Sequence, residues 1–105
     1  MDYEVEAKMK GMIEIQKKLS EHKNFLEDNY NVKYIGIFGS FARGEQKKAS
    51  DVDVLVEFKK PIGLFRFLEL EEYLHKKLGV KVDLVSKKAL KLHMGKRILK
   101  EVVAV

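Results

Sequence analysis

Between about Val5 and Tyr30 the apolar residues Val5, Met9, Met12, Leu19, Leu26 and Tyr30 keep to one stripe of a helix, with charged residues elsewhere. The spacing predicts a long amphipathic first helix. Val32 to Phe38 is rich in β-branched and aromatic residues and apolar on both faces, the pattern of a strand covered on both sides. Gly39 ends it. A short helix or turn through Phe41 to Glu45, a hydrophilic loop Gln46-Lys47-Lys48-Ala49-Ser50 and a second strand from Asp51 to Phe58 follow, and Lys59-Lys60-Pro61 breaks that strand. Leu64, Phe67, Leu70, Leu74 and Leu78 trace another helical face, closed by Gly79 before a strand from Val80 to Val85. From Lys87 onward Leu90, Met94, Ile98 and Val102 lie four apart, so the tail is expected to pack on the sheet as a helix. The order reads αβαβαβα, a mixed α/β (α+β) pattern with about three strands flanked by helices.

Composition narrows the class. At 105 residues the chain fits a single domain, 1–105, with no repeat, linker or low-complexity stretch to divide it. It has no cysteine, which excludes disulfides and thiolate metal sites, so any metal must be held by oxygen or imidazole. No apolar run approaches the roughly 20 residues that cross a bilayer, and the acidic start Met1-Asp2-Tyr3-Glu4 lacks the marks of a signal peptide. A cytoplasmic, membrane-free protein is the expectation. Lys and Arg exceed Asp and Glu by 21 − 16 = 5, which favours polyanionic partners in general without singling out nucleic acid.

On a strand alternate side chains share a face, so Asp51, Asp53, Leu55 and Glu57 point one way while Val52, Val54, Val56 and Phe58 point to the obvious core. Aspartates two apart are close enough to converge on one cation or a pair of cations, and oxygen-only donors favour Mg²⁺ or Mn²⁺. Taken alone the pair reads better as a strand-opening Asp followed by a solvent-facing one. Asp83 changes that balance, because it lies on a third predicted strand on the face opposite Val80, Val82 and Leu84. If the two strands are neighbours, three carboxylates meet, and two ions held there could neutralise both the entering and the leaving oxygens of a phosphoryl transfer. Asp83 is then the candidate general base or ligand of the activating metal. Gly39-Ser40 opens a helical turn where backbone N–H groups can hold phosphate, with Ser40 as a second donor or merely a helix cap. Arg43 suits a phosphate or a structural ion pair equally.

Gly39-Ser40-Phe41-Ala42-Arg43-Gly44, five residues, then Ser50-Asp51-Val52-Asp53-Val54-Leu55-Val56 resembles the GSxARG(x5)SDxDLxV signature of minimal nucleotidyltransferases, with Val54 for Leu its one substitution. The likeness extends to Val82-Asp83-Leu84-Val85 and to Arg97-Ile98 and Glu101, while Leu92-His93-Met94 stands where a proline is frequent. The resemblance implies a DNA polymerase β-like core, two Mg²⁺ ions on Asp51, Asp53 and Asp83, and phosphate contacts from Gly39, Ser40 and Arg43. It also implies transfer of a nucleoside monophosphate, AMP from ATP or its counterpart from another NTP, with release of pyrophosphate. Relatives of this kind pair with a HEPN-type toxin as antitoxin and place AMP on a tyrosine of that toxin.

Two other functions are weighed beside this one. The chain could be a non-catalytic module that neutralises a partner by masking it, or a small-molecule enzyme of the aminoglycoside nucleotidyltransferase kind. Those relatives carry an added substrate-binding domain. With no second lobe, acceptor recognition is expected to come from a partner protein or from a second copy in a homo-oligomer. The basic tail Lys87, Lys88, Lys91, Lys96, Arg97 and Lys100 reads as a solvated face or a contact for triphosphate, with Arg97 the residue to test. His22, His75 and His93 lack metal-ligand spacing.

Overall fold

The computed structural model describes residues 2–45, 51–93 and 95–105, and the side chains of all of these except 2–10, 91–93, 95 and 97. The loop Gln46–Ser50, Met94 and the side chains of Val5, Met9, Lys91, His93 and Arg97, all singled out above, lie outside that description. Helix α1 (Asp2–Tyr30) leads into β1 (Val32–Phe38) through Asn31, a left-handed residue at φ 57°, a conformation asparagine tolerates after a helix. A single turn, α2 (Ser40–Arg43), precedes β2 (Val52–Phe58), α3 (Leu64–Leu78) and β3 (Val82–Ser86). Gly79 ends α3 in the left-handed conformation expected of it, its N–H bonded to the His75 carbonyl.

The sheet runs β3-β2-β1 and then β4, with β1 antiparallel to β2 and β2 parallel to β3 through α3. The tail departs from one continuous helix. It forms α4 (Lys87–His93) and α5 (Gly95–Glu101), then turns into a two-residue strand, β4 (Val103–Ala104), that pairs antiparallel with β1. A spacing of four records which side chains face the sheet, and a strand end that returns to the same sheet keeps Val102 on that side without being helical. Gly36 makes the return possible, since a Cβ there would stand 2.5 Å from Val102 Cγ1 and 3.1 Å from the Val103 carbonyl oxygen.

Each strand sends alternate residues to two unequal layers. Ile35 and Ile37 of β1, Val52, Val54 and Val56 of β2 and Val82 and Leu84 of β3 bury against Leu19 and Leu26 of α1 and Leu70, Leu74 and Leu78 of α3. The other face carries a smaller cluster, Phe38, Leu55 and Leu90, backed by Ile98, Leu99 and Val102. Asp53 and Asp83 belong to this second face, where the apolar cover is thin enough to leave room for polar chemistry.

Candidate active site

The β2–β3 pairing sets Asp53 directly beside Asp83 in register, on strands about 4.8 Å apart, and Asp51 precedes Asp53 by two residues on the same side. The three acids that sequence periodicity put on one face are therefore brought to one end of two adjacent strands. Asp83 is exposed, whereas Asp51 and Asp53 are half-buried. Burial pushes the Asp53 carboxyl above the ordinary Asp range, the neighbouring charges of Asp83 and then Asp51 push it further, and Arg43 partly opposes them. Asp51 also reaches Lys81, with Oδ2 3.8 Å from Nζ, a long pair between residues 30 positions apart that no local pattern links.

Gly39 is fixed in place twice over. Its backbone sits at φ 73° and ψ −148°, a region essentially closed to residues with a side chain, and a Cβ on it would come 2.1 Å from Asp53 Oδ2. The glycine therefore lets the end of β1 press against the Asp53 carboxylate. It also occupies the cap position of α2 and no side chain caps that turn, so Ser40 is the first helical residue and its hydroxyl is not the cap. Phe41 buries in the core and anchors the turn, and Gly44 closes it in the left-handed conformation with its N–H bonded to the Phe41 carbonyl. Arg43 projects from the last position. Its Nε donates to Glu45 at 2.9 Å and its Nη1 to Glu101 at 3.1 Å.

Gly39, Arg43, Asp53, Asp83 and Glu101 line an open cleft of about 730 Å³, with Phe38, Val85, Leu90 and Ile98 as its apolar side, and Ser40 and Asp51 stand outside that lining. That size and mixture suit a nucleotide, a planar apolar base joined to a polyanion. Glu101 is a wall residue of the cleft that the sequence pattern does not single out as part of the site. No local pattern links residue 43 to residue 101, and only the return of α5 onto the sheet does so.

Among the described residues no three acids or imidazoles already surround one point as a metal's ligands would. The donor set nonetheless fits a hard divalent cation. It consists of carboxylates alone, and burial and then the neighbouring acids raise the pKa of the central one, a disadvantage that a cation would offset.

Comparison with known proteins agrees with this geometry. The nucleotidyltransferase domain family matches residues 19–105. A curated relative, the protein adenylyltransferase MntA of Thermococcus cleftensis, is 50% identical over 92 residues, covering 88% of this chain and 93% of that one. A candidate protein adenylyltransferase of Methanocaldococcus jannaschii is 49% identical over 84 residues, 80% of this chain and 98% of that one. Among solved structures, a minimal nucleotidyltransferase superposes with a TM-score of 0.70 at 29% identity, covering 87% of this chain and 95% of that one. A chain from a toxin–antitoxin complex with AMP-PNP superposes at 0.66 and 22% identity, over 89% and 70%, a likeness of fold.

Proposed function

This chain belongs to the nucleotidyltransferase domain family and is a nucleotidyltransferase, and from that premise we propose that it transfers AMP from ATP to a hydroxyl of a partner protein, a tyrosine of a HEPN-type toxin, acting as an antitoxin. The observation that carries the reading is the register of β2 against β3, which sets Asp53 beside Asp83 at the mouth of a nucleotide-sized cleft with Gly39 packed against it. The choice of a protein as acceptor follows the curated relative of half-identical sequence, which is named for that activity.

In this reading Asp51, Asp53 and Asp83 would hold Mg²⁺, which when bound neutralises the triphosphate and eases loss of a proton from the acceptor. Gly39 lets a phosphate approach the backbone at the start of α2, where Ser40 offers its N–H and its hydroxyl. Arg43 supplies the positive charge at the cleft wall, with Glu45 and Glu101 fixing where its guanidinium points. Asp83, the most exposed of the three acids, takes the proton of the acceptor hydroxyl. The hydroxyl oxygen then bonds to the α-phosphorus as the bond from that phosphorus to the bridging oxygen breaks and pyrophosphate leaves in line. The apolar wall of Phe38, Leu90 and Ile98 takes the base.

The test is label transfer from α-³²P-ATP to a co-expressed helical partner, followed by intact mass. A gain of one AMP per modified tyrosine supports the reading. An Asp53→Ala protein that transfers no label yet still neutralises the partner would show that masking, and not catalysis, carries the biological role.

A further inference from the structure

A second concavity, about 590 Å³, lies at the far ends of β2 and β3 from the acids. Its floor and walls are Phe58, Ile62, Leu64 and Phe67, and Lys87 and Lys88 stand at its edge. The apolar surface does not stop at the groove. Along the first two turns of α3 Leu64 is 69% exposed, Phe65 86% and Leu68 49%, the most concentrated group of exposed large apolar residues in the described part of the chain. Clusters of this kind mark interaction sites, and Leu64 and Leu68, four apart, present the seam against which a partner helix packs.

Lysines predominate at the rim of the groove, while the next turn of α3 carries the exposed Glu69, which pairs with Arg66, and the exposed Glu72. Lys59, Lys60 and Lys88 are exposed and Lys87 is half-buried, against a single lining carboxylate, Glu57, which already lies 3.8 Å from Lys87. Lys59 is paired with Glu27 on α1 at 2.5 Å, and among the described residues neither Lys60 nor Lys88 has an ion-pair partner. A second copy of this chain, with a formal charge of +5, would bring lysines toward lysines. We propose that this groove and the adjoining face of α3 dock an acidic amphipathic helix of the protein that receives the nucleotide. The proposal rests on the reading that the acceptor is a protein. Phe58 lies five residue steps along β2 from Asp53, so the docking seam stands about 16 Å from the acids. The accepting hydroxyl therefore lies at about that reach from the anchoring helix on the partner.

The experiment uses two synthetic stapled helices with one and the same Leu/Phe stripe, one with a Glu/Asp polar face and the other with a Lys/Arg face, titrated by fluorescence anisotropy against the full chain. The acidic helix is expected to bind at least about tenfold more tightly than the basic one and to weaken with added salt. Leu64→Asp with Phe65→Asp should lower its affinity at least about tenfold, since both side chains are exposed and acidic residues suit the first turn of a helix. Lys60→Glu with Lys88→Glu should remove the preference for the acidic helix. A far-UV circular dichroism spectrum and a thermal melt matching those of the wild type in both double variants show that the fold is intact. Equal affinity for the two helices, or binding that survives Leu64→Asp with Phe65→Asp, overturns the proposal. So does a concentration-dependent dimer of the chain that the same variant dissolves, which would give the face to a second copy. Asp53→Asn should keep helix binding while losing label transfer to the co-expressed helical partner, and absence of that transfer from the wild type with stapled-helix binding intact defeats the protein-acceptor reading alone.

Discussion

At the scale of single residues the site is governed by one contact, Gly39 against Asp53. Any side chain at position 39 meets both a backbone region reserved for glycine and the carboxylate oxygen 2.1 Å away. Gly39→Ala is therefore expected to cost about 1–3 kcal/mol of stability in denaturant titration and to abolish transfer by displacing Asp53. Wild-type stability and rate in that variant would remove the glycine from the site. Asp53 itself is held at a cost to the fold. Its carboxyl titrates higher folded than unfolded, so protonation stabilises the metal-free chain below the ordinary value of 3.8, and that contribution is lost as pH rises through the raised folded value. Asp53→Asn has no such loss. In thermal melts without metal the variant should match the wild type below pH 3.8 and become the more stable of the two as pH rises. Its transfer rate should fall by more than about 100-fold, because even outer partners of a metal site are worth 10–100-fold.

At the scale of elements, the sheet edge beyond β1 depends on Gly36. Gly36→Ala places a methyl 2.5 Å from Val102 Cγ1 and should separate β4 from β1 at a cost of about 1–3 kcal/mol. Hydrogen exchange reads this directly. The Val105 amide, which donates to the Ile35 carbonyl at 3.0 Å, should lose protection while the amides joining β2 to β3 keep theirs. Unchanged protection at Val105 would mean that the edge tolerates the methyl. The consequence reaches the site, because β4 follows α5 directly and α5 carries Glu101 to Arg43. The opposite edge, β3, is guarded in another way. Glu71 of α3 accepts a hydrogen bond from the Leu84 N–H at 3.0 Å, which occupies an edge donor that could otherwise pair with another strand.

At the scale of the whole molecule, the α1/α3 layer holds most of the core, and the thinner layer beneath α4 and α5 shares its face of the sheet with Asp53 and Asp83. Crowded carboxylates on that thin face predict a metal-dependent stability. Mg²⁺ at ten times its dissociation constant should stabilise the wild type by about 1.4 kcal/mol, EDTA should reverse the gain, and Asp53→Asn should lose most of it. Equal thermal shifts in wild type and variant would place the ion elsewhere. The described residues contain no helix long and apolar enough to cross a membrane.

The order of the main elements, the two faces of β2 and the placing of Asp51, Asp53 and Asp83 on or beside two strands could all be read from the sequence. Period 2, period 3.6 and glycine's conformational freedom are local properties that residues close in the chain carry themselves. The signature from Gly39 to Val56 was legible for the same reason, being a nearly contiguous stretch of restrictive residue types. Tertiary structure alone decided that β3 lies parallel beside β2 in the register that sets Asp83 against Asp53. It also decided that the tail breaks into two helices and a strand, that Glu101 meets Arg43, and that Lys81 reaches Asp51. Those pairings join residues 30 to 68 positions apart, and they follow from how apolar faces cover one sheet, which no window of sequence contains.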